Sequence, residues 1–263
     1  MKGLLQALDQ VLRGEATSLS KLRQGKFDLP LGPLFAAILI LGLIGGMGMG
    51  SYALFRPEAR SVPQFFASAI KVPLLFILTV VVTFPSLYVF NALVGSRLSA
   101  LSILRLIVAC LAVTLAVLAS FAPIVAFFAA STTSYHFMVL LNVALCAIAG
   151  FLGLSFLLQT LHRLTIATEP LPPPPPPPVA GQPPVIPPSA GAGALDAAEG
   201  RVPGKHVRAV FRWWIILFAV VGAQMGWVLR PFVGSPVLQF TFLRPRDSNF
   251  FQSVWQHFIS LFQ

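Results

Sequence analysis

The sequence predicts an all-α, polytopic helical membrane protein with five transmembrane helices and an amphipathic interfacial helix at each end. Three observations carry this. First, 56% of the 263 residues are hydrophobic and only 10% charged, with a mean hydropathy of +0.83. A soluble domain has about a quarter of its residues charged, and a disordered chain needs low hydrophobicity. Second, five apolar runs approach or exceed the roughly 20 residues that cross a bilayer core. Third, basic residues alternate in density between the two sides of these runs.

The N-terminal tail, residues 1–32, opens with Leu4, Leu5, Leu8, Val11 and Leu12 on one helical face. Gln6, Asp9, Gln10 and Arg13 lie opposite, so the segment reads as an amphipathic helix at the membrane surface. The first apolar run is too long and too far into the chain for a cleavable signal and reads as a retained anchor.

The four-span block, 33–161, contains Pro33–Phe55, Val72–Gly95, Leu106–Ala130 and Phe137–Leu161. In the first span Gly42, Gly46 and Gly50 recur every four residues, widened by Gly45 and Gly48. Without Cβ atoms such a strip lets another helix approach closely. It serves either an oligomer interface or packing within the chain, for instance on the fifth span. The second span has Pro73 in its first turn and Pro85 mid-span. Thr83, Ser86 and Asn91 are placed to satisfy carbonyls that Pro85 frees. Pro123 and Asn142 are the corresponding features of the third and fourth spans.

The linker, 162–212, is low in complexity. Thr168–Gly204 holds 13 of the 23 prolines, including Pro172, Pro173, Pro174, Pro175, Pro176, Pro177 and Pro178 in one run. Proline fixes φ and lacks an N–H, so the run is expected as a polyproline II rod of roughly 22 Å. It serves as a spacer or as a docking site for a cytoplasmic protein. Arg201, Lys205, His206, Arg208 and Arg212 follow it and should meet anionic headgroups.

The fifth span, 213–229, is the shortest. It carries Trp213, Trp214 and Trp227 near its ends, as interfacial aromatics, and a second small-residue pair, Gly222 and Gly226. The external tail, 230–263, begins with PFVGSPVLQFTFLRPRD, which reads as ordered, non-helical and lying across the outer mouth of the bundle. It ends in a second amphipathic helix. Asp247 and Ser248 offer its N-cap. Phe250, Phe251, Val254, Trp255, Phe258, Ile259, Leu261 and Phe262 fill one half of its wheel.

Twelve of the 18 Lys and Arg residues fall on the side of the N-terminus and six on the other. The positive-inside rule then places the N-terminus in the cytoplasm and the C-terminus outside the cell membrane. The net charge of +10 belongs to this topology, and no nucleic-acid partner is expected.

The chemistry-bearing residues are few. Cys110 and Cys146 lie in apolar runs without a CxxC or Cys/His pattern, so no metal or cofactor is expected. The histidines His136, His162, His206 and His257 form no ligand motif. Ser155 sits in GLSF, without the second glycine of a nucleophile turn. The eight acids are spread thinly, and no Asp, Glu, Lys, Arg or His lies inside a span except at its flanks. An enzyme is therefore not expected, and an ion-coupled pump is disfavoured.

With a cytoplasmic N-tail and five closely set spans over Pro33–Leu229, and with KVP beginning the proline-kinked segment Lys71–Leu98, the chain resembles the Yip family of small membrane proteins. The DLYGP-type signature of the eukaryotic members is absent. The resemblance implies a non-enzymatic role in membrane organisation or partner recruitment. The leading expectation is a non-catalytic membrane scaffold or adaptor, with the lipid bilayer, a cytoplasmic protein and a second copy as partners. The alternative is a transport or pore subunit, with Pro85, Asn91, Pro123 and Asn142 at membrane depth.

Overall fold

The computed structural model describes residues 2–15, 29–56, 60–93, 100–168, 204–235, 239–245 and 248–262. Among these the regular structure is entirely helical. In chain order the helices are α1 (Lys2–Leu12), α2 (Leu31–Gly50), α3 (Tyr52–Phe55), α4 (Val62–Leu93), α5 (Ala100–Ser131), α6 (Tyr135–Thr168), α7 (Gly204–Val228) and α8 (Phe250–Ile259). Four stretches, Leu31–Phe55, Val62–Val89, Ala100–Ser131 and Tyr135–Thr160, are long and apolar enough to cross a membrane. The apolar part of α7, Arg212–Val228, is shorter.

The helices outrun the apolar runs because helix propensity and packing continue past the point where hydropathy falls. α4 begins at Val62, with Pro63 in its first turn. Pro73 therefore lies inside the helix, not in its first turn as hydropathy suggested. α6 reaches Thr168 and α7 starts at Gly204, so the polar ends assigned to the linker are helical. The remaining 169–203 segment, with the Pro172–Pro178 run, lies outside the described residues.

The five long helices form a ring in the order α2, α5, α6, α7, α4, with α4 returning to α2. Close approach to α2 holds the ring together. A Cβ at Gly46 would stand 2.5 Å from the Ser68 carbonyl oxygen and 2.6 Å from Ala69 Cα. At Gly42 it would meet Pro73 Cβ at 2.7 Å, and at Gly50 Phe65 Cα at 3.0 Å. The strip Gly42, Gly46, Gly50 thus packs within the chain, on antiparallel α4. Gly45 and Gly48 form a second face on parallel α5, against Leu118 and Ala122. With apolar lipid outside, dispersion between such close backbones stabilises the contact in place of the hydrophobic effect. The fifth helix is not the partner of α2. A Cβ at its Gly222 would stand 3.6 Å from Thr79 and one at Gly226 3.7 Å from Leu75 of α4, ordinary van der Waals distances.

α7 runs antiparallel along α4. The buried Trp214 donates its indole N–H to the Thr83 carbonyl at 3.2 Å. Near the other end of α7, the chain just beyond Leu229 reaches Gln64. Trp213, next to it, is 73% exposed, so of the two expected interfacial rings it is Trp214 that turns into the bundle.

α1 and α8 cap opposite ends. α1 lies against α2 and α5, seating Ala7 and Val11, while Leu5 and Leu12 of the expected apolar face stay exposed. α8 rests on the first turn of α6. Its N-cap is Asn249, whose side chain accepts from Gln252 N at 2.9 Å, rather than Asp247 or Ser248. It docks through Ser253 and His257, so Phe251, Trp255, Phe258 and Ile259 point away from the bundle.

Candidate functional site

The densest polar arrangement lies at the α8 end. Ser61 Oγ accepts from Gln64 N at 3.4 Å at the start of α4, and Gln64, Ser68 and Lys71 then recur at i, i+4 and i+7 on one face. All three are buried, and Lys71 has no exposed surface. Facing them is the chain just after α7, where Leu229, Pro231 and Val233 are buried. Gln64 Nε2 donates to the Pro231 carbonyl at 2.9 Å. Ser68 Oγ donates to the Phe232 carbonyl at 2.5 Å. Lys71 Nζ donates to the Pro231 carbonyl at 3.0 Å and sits 4.7 Å from the centre of the Phe242 ring. Ser68 and Lys71 both turn to loop carbonyls, not to each other, so they do not form a nucleophile–base pair.

The arrangement is reciprocal. A loop entering the mouth of a bundle brings carbonyls that lack helical partners, and an unpaired buried carbonyl is costly. The α4 side chains supply the donors. Gly234 lets the loop settle, since a Cβ there would stand 2.8 Å from Ala53 Cβ.

Around this core stand further cations and aromatic rings. Tyr52 donates to the Thr133 carbonyl at 2.9 Å and accepts from Arg56 Nη2. The Arg56 guanidinium also lies over the Tyr52 ring. The Tyr52 and Tyr135 rings are 6.4 Å apart, and Tyr135 and His136 both meet His257 of α8, at 5.7 and 5.1 Å. Arg230 stacks 3.5 Å over Trp227 and donates to the Pro245 carbonyl. Arg244 acts electrostatically on both Lys71 and Tyr135. Burial and the neighbouring His136 hold His257 below its ordinary pKa. The acids among the described residues are Asp9 and Glu15, both at the α1 end.

The residues singled out from sequence are not brought together. Pro85 is exposed near the α1 end of α4, and Pro123 is exposed in the other half of α5. Thr83 Oγ1 bonds back to the Thr79 carbonyl and Ser86 Oγ to the Thr83 carbonyl, both at 2.7 Å. The Asn91 side chain lies outside the described residues. Asn142 is buried. Its Nδ2 donates to the Met138 carbonyl at 2.8 Å, and its Oδ1 has no hydrogen-bond partner. Cys110 and Cys146 are free thiols, with Cys110 Sγ 3.1 Å from the Gly153 carbonyl. Among the described residues no three His, Cys, Asp or Glu side chains converge. At the α1 end a half-open hollow of about 120 Å³ is lined by Leu12, Arg13, Gly14, Phe156, Gln159, Thr160 and Arg163.

Sequence reasoning missed Lys71 because hydropathy placed it one residue outside the second span. The Gln64–Ser68–Lys71 spacing was the available signal.

Four long apolar helices packed in this way define a membrane-embedded protein. Compared with protein-family models, with characterised proteins and with solved structures, the chain finds no match.

Proposed function

We propose that the protein is a non-catalytic membrane scaffold or adaptor. It crosses the cell membrane five times, with its N-terminus in the cytoplasm. Support for the fifth crossing comes from α7 and the chain just after it, which together accompany α4 from Thr83 to the level of Gln64. At 1.5 Å per residue this is about 28 Å, close to the bilayer core. α1 and α8 at opposite ends require an odd number of crossings. The charge asymmetry orients the α1 end inward. This is the arrangement in which the chain resembles the Yip family.

The observation that carries the scaffold reading is the fit of α2 against α4 and α5. Backbone meets backbone at Gly46 and Gly48, which suits a rigid anchor better than a moving gate. The segment between α6 and α7, with its seven consecutive prolines, is then the part offered to a cytoplasmic partner, and α8 secures the opposite surface. Tagged protein extracted in nanodiscs and cross-linked should give reproducible links from Lys205 to one cytoplasmic protein. Deleting residues 170–188 should abolish them. Links that survive the deletion refute the docking role.

A transport or pore subunit is the second reading, favoured by Asn142, whose buried Oδ1 lacks a donor. Solute flux into proteoliposomes that Asn142→Leu abolishes would establish it.

A further inference from the structure

The cations at the α8 end have a use that anchoring does not explain. Arg56, Lys71 and Arg244 come from three separate stretches of chain: Arg56 holds Tyr52, Arg244 reaches Tyr135, whose ring lies 6.4 Å from that of Tyr52, and Lys71 lies within electrostatic reach of Arg244, with Arg230 beside Tyr135. Among the described residues the partners of Arg56 and Lys71 are uncharged: a tyrosine, a carbonyl and a phenyl ring. Arg244 lies within electrostatic reach of Lys71 and Tyr135. Like charges gathered at one end of the bundle repel, as Arg244 does Lys71, and side-chain entropy favours their dispersal. A fold that holds them together is matched to an anion.

The depth of the cluster narrows the class of anion. It lies at the ends of the apolar helices, where headgroups begin. Beside it Phe240, Phe242 and Leu243 of the loop are exposed, as are Phe251, Trp255 and Phe258 of α8. A ligand fitting both surfaces has a charged, oxygen-rich head and an apolar tail. We infer that this cluster binds the phosphate group of an anionic phospholipid. Arg56 and Arg244 grip the phosphate, Lys71 supplies charge from beneath, and the aromatic faces of the loop and α8 lie along the acyl chains. A guanidinium meets phosphate through paired N–H donors. This inference requires only that the chain is membrane-embedded and is independent of the scaffold reading.

Native mass spectrometry of the full chain in mild detergent tests it, with phosphatidylglycerol, phosphatidylcholine of the same acyl chains and inorganic phosphate as probes. Phosphatidylglycerol should bind about tenfold more tightly than phosphatidylcholine, and Arg56→Gln and Arg244→Gln should each weaken it about fivefold. Arg60→Gln removes an exposed cation at the same end but outside the cluster. It should leave binding within about twofold, the small effect of a screened surface charge. Equal losses in Arg60→Gln and Arg244→Gln would mean diffuse surface charge and overturn the site. Inorganic phosphate bound without preference for phosphatidylglycerol would overturn the lipid as its source.

Discussion

Replacing Gly46 and Gly222 separately by alanine tests how the bundle is held together, because the two glycines look alike in sequence and differ in the fold. At Gly46 the new methyl would meet the Ser68 carbonyl at 2.5 Å and Ala69 Cα at 2.6 Å. Both are backbone atoms of α4 and cannot rotate away, so α2 and α4 must separate. Overpacking of this kind costs about 2–3 kcal/mol. Alanine recovers about 1 kcal/mol of helix propensity over glycine, leaving a net loss of roughly 1–2 kcal/mol. At Gly222 the nearest atom is Thr79 Cγ2 at 3.6 Å, so the propensity gain stands and the change stabilises by up to about 1 kcal/mol. Cys110 and Cys146 are free thiols within the bundle, so a thiol-reactive dye reports unfolding on heating. Gly46→Ala should lower Tm by about 2–8 °C and Gly222→Ala raise it by up to about 4 °C. Equal shifts, or a larger loss at Gly222, would show that α2 does not pack on α4 as described.

Three further outcomes follow from the site and its surroundings. Trp214→Phe loses the indole bond to Thr83 and should destabilise by about 1 kcal/mol, whereas Trp213→Phe, at an exposed ring, should leave Tm unchanged. The reverse order would contradict the docking of α7. Lys71→Met removes a charged hydrogen bond to Pro231, so the amides of Phe232–Ser235 should exchange about tenfold faster or more. Exchange at the wild-type rate would mean that Lys71 does not pin the loop. His257 is held below its ordinary pKa of 6.5 by burial and by His136. The docked α8 thus favours the neutral ring. Its contribution is complete above pH 6.5 and is lost as pH falls through the lower docked value. The protection of α8 amides, taken relative to their intrinsic exchange rates at each pH, should therefore fall as pH drops through that lower value, with Tyr135, Arg230 and Arg244 adding their influence nearby. His257→Gln should flatten this response, and an unchanged acid response would assign it elsewhere.

Much of the fold was legible because hydropathy and helix length are both set by the bilayer. The four long helices fall where the apolar runs put them, and helices also stand at Gly204–Val228 and in both terminal segments. Which helix faces which was not legible. Gly46 and Gly222 share the same motif, and only the register of α4 against each separates a backbone clash from an open contact. The last helix, Phe250–Ile259, falls within the segment expected, but Leu261 and Phe262 lie beyond it and it docks through Ser253 and His257, with Phe251, Trp255, Phe258 and Ile259 exposed. The site was hidden for a related reason. Lys71 looks like a flanking charge until Pro231 and Phe232, 160 residues later, bring the carbonyls that α4 holds.

That separation along the chain bears on how the protein is made. α4 is complete when Leu93 has been synthesised, but Pro231 follows only after roughly 10–30 s of further translation. Throughout that interval Gln64, Ser68 and Lys71 have no loop to bind. The four-span intermediate therefore carries an open polar notch into the membrane. The notch closes only when the loop arrives, so the α8 end of the bundle is completed after the helices that frame it.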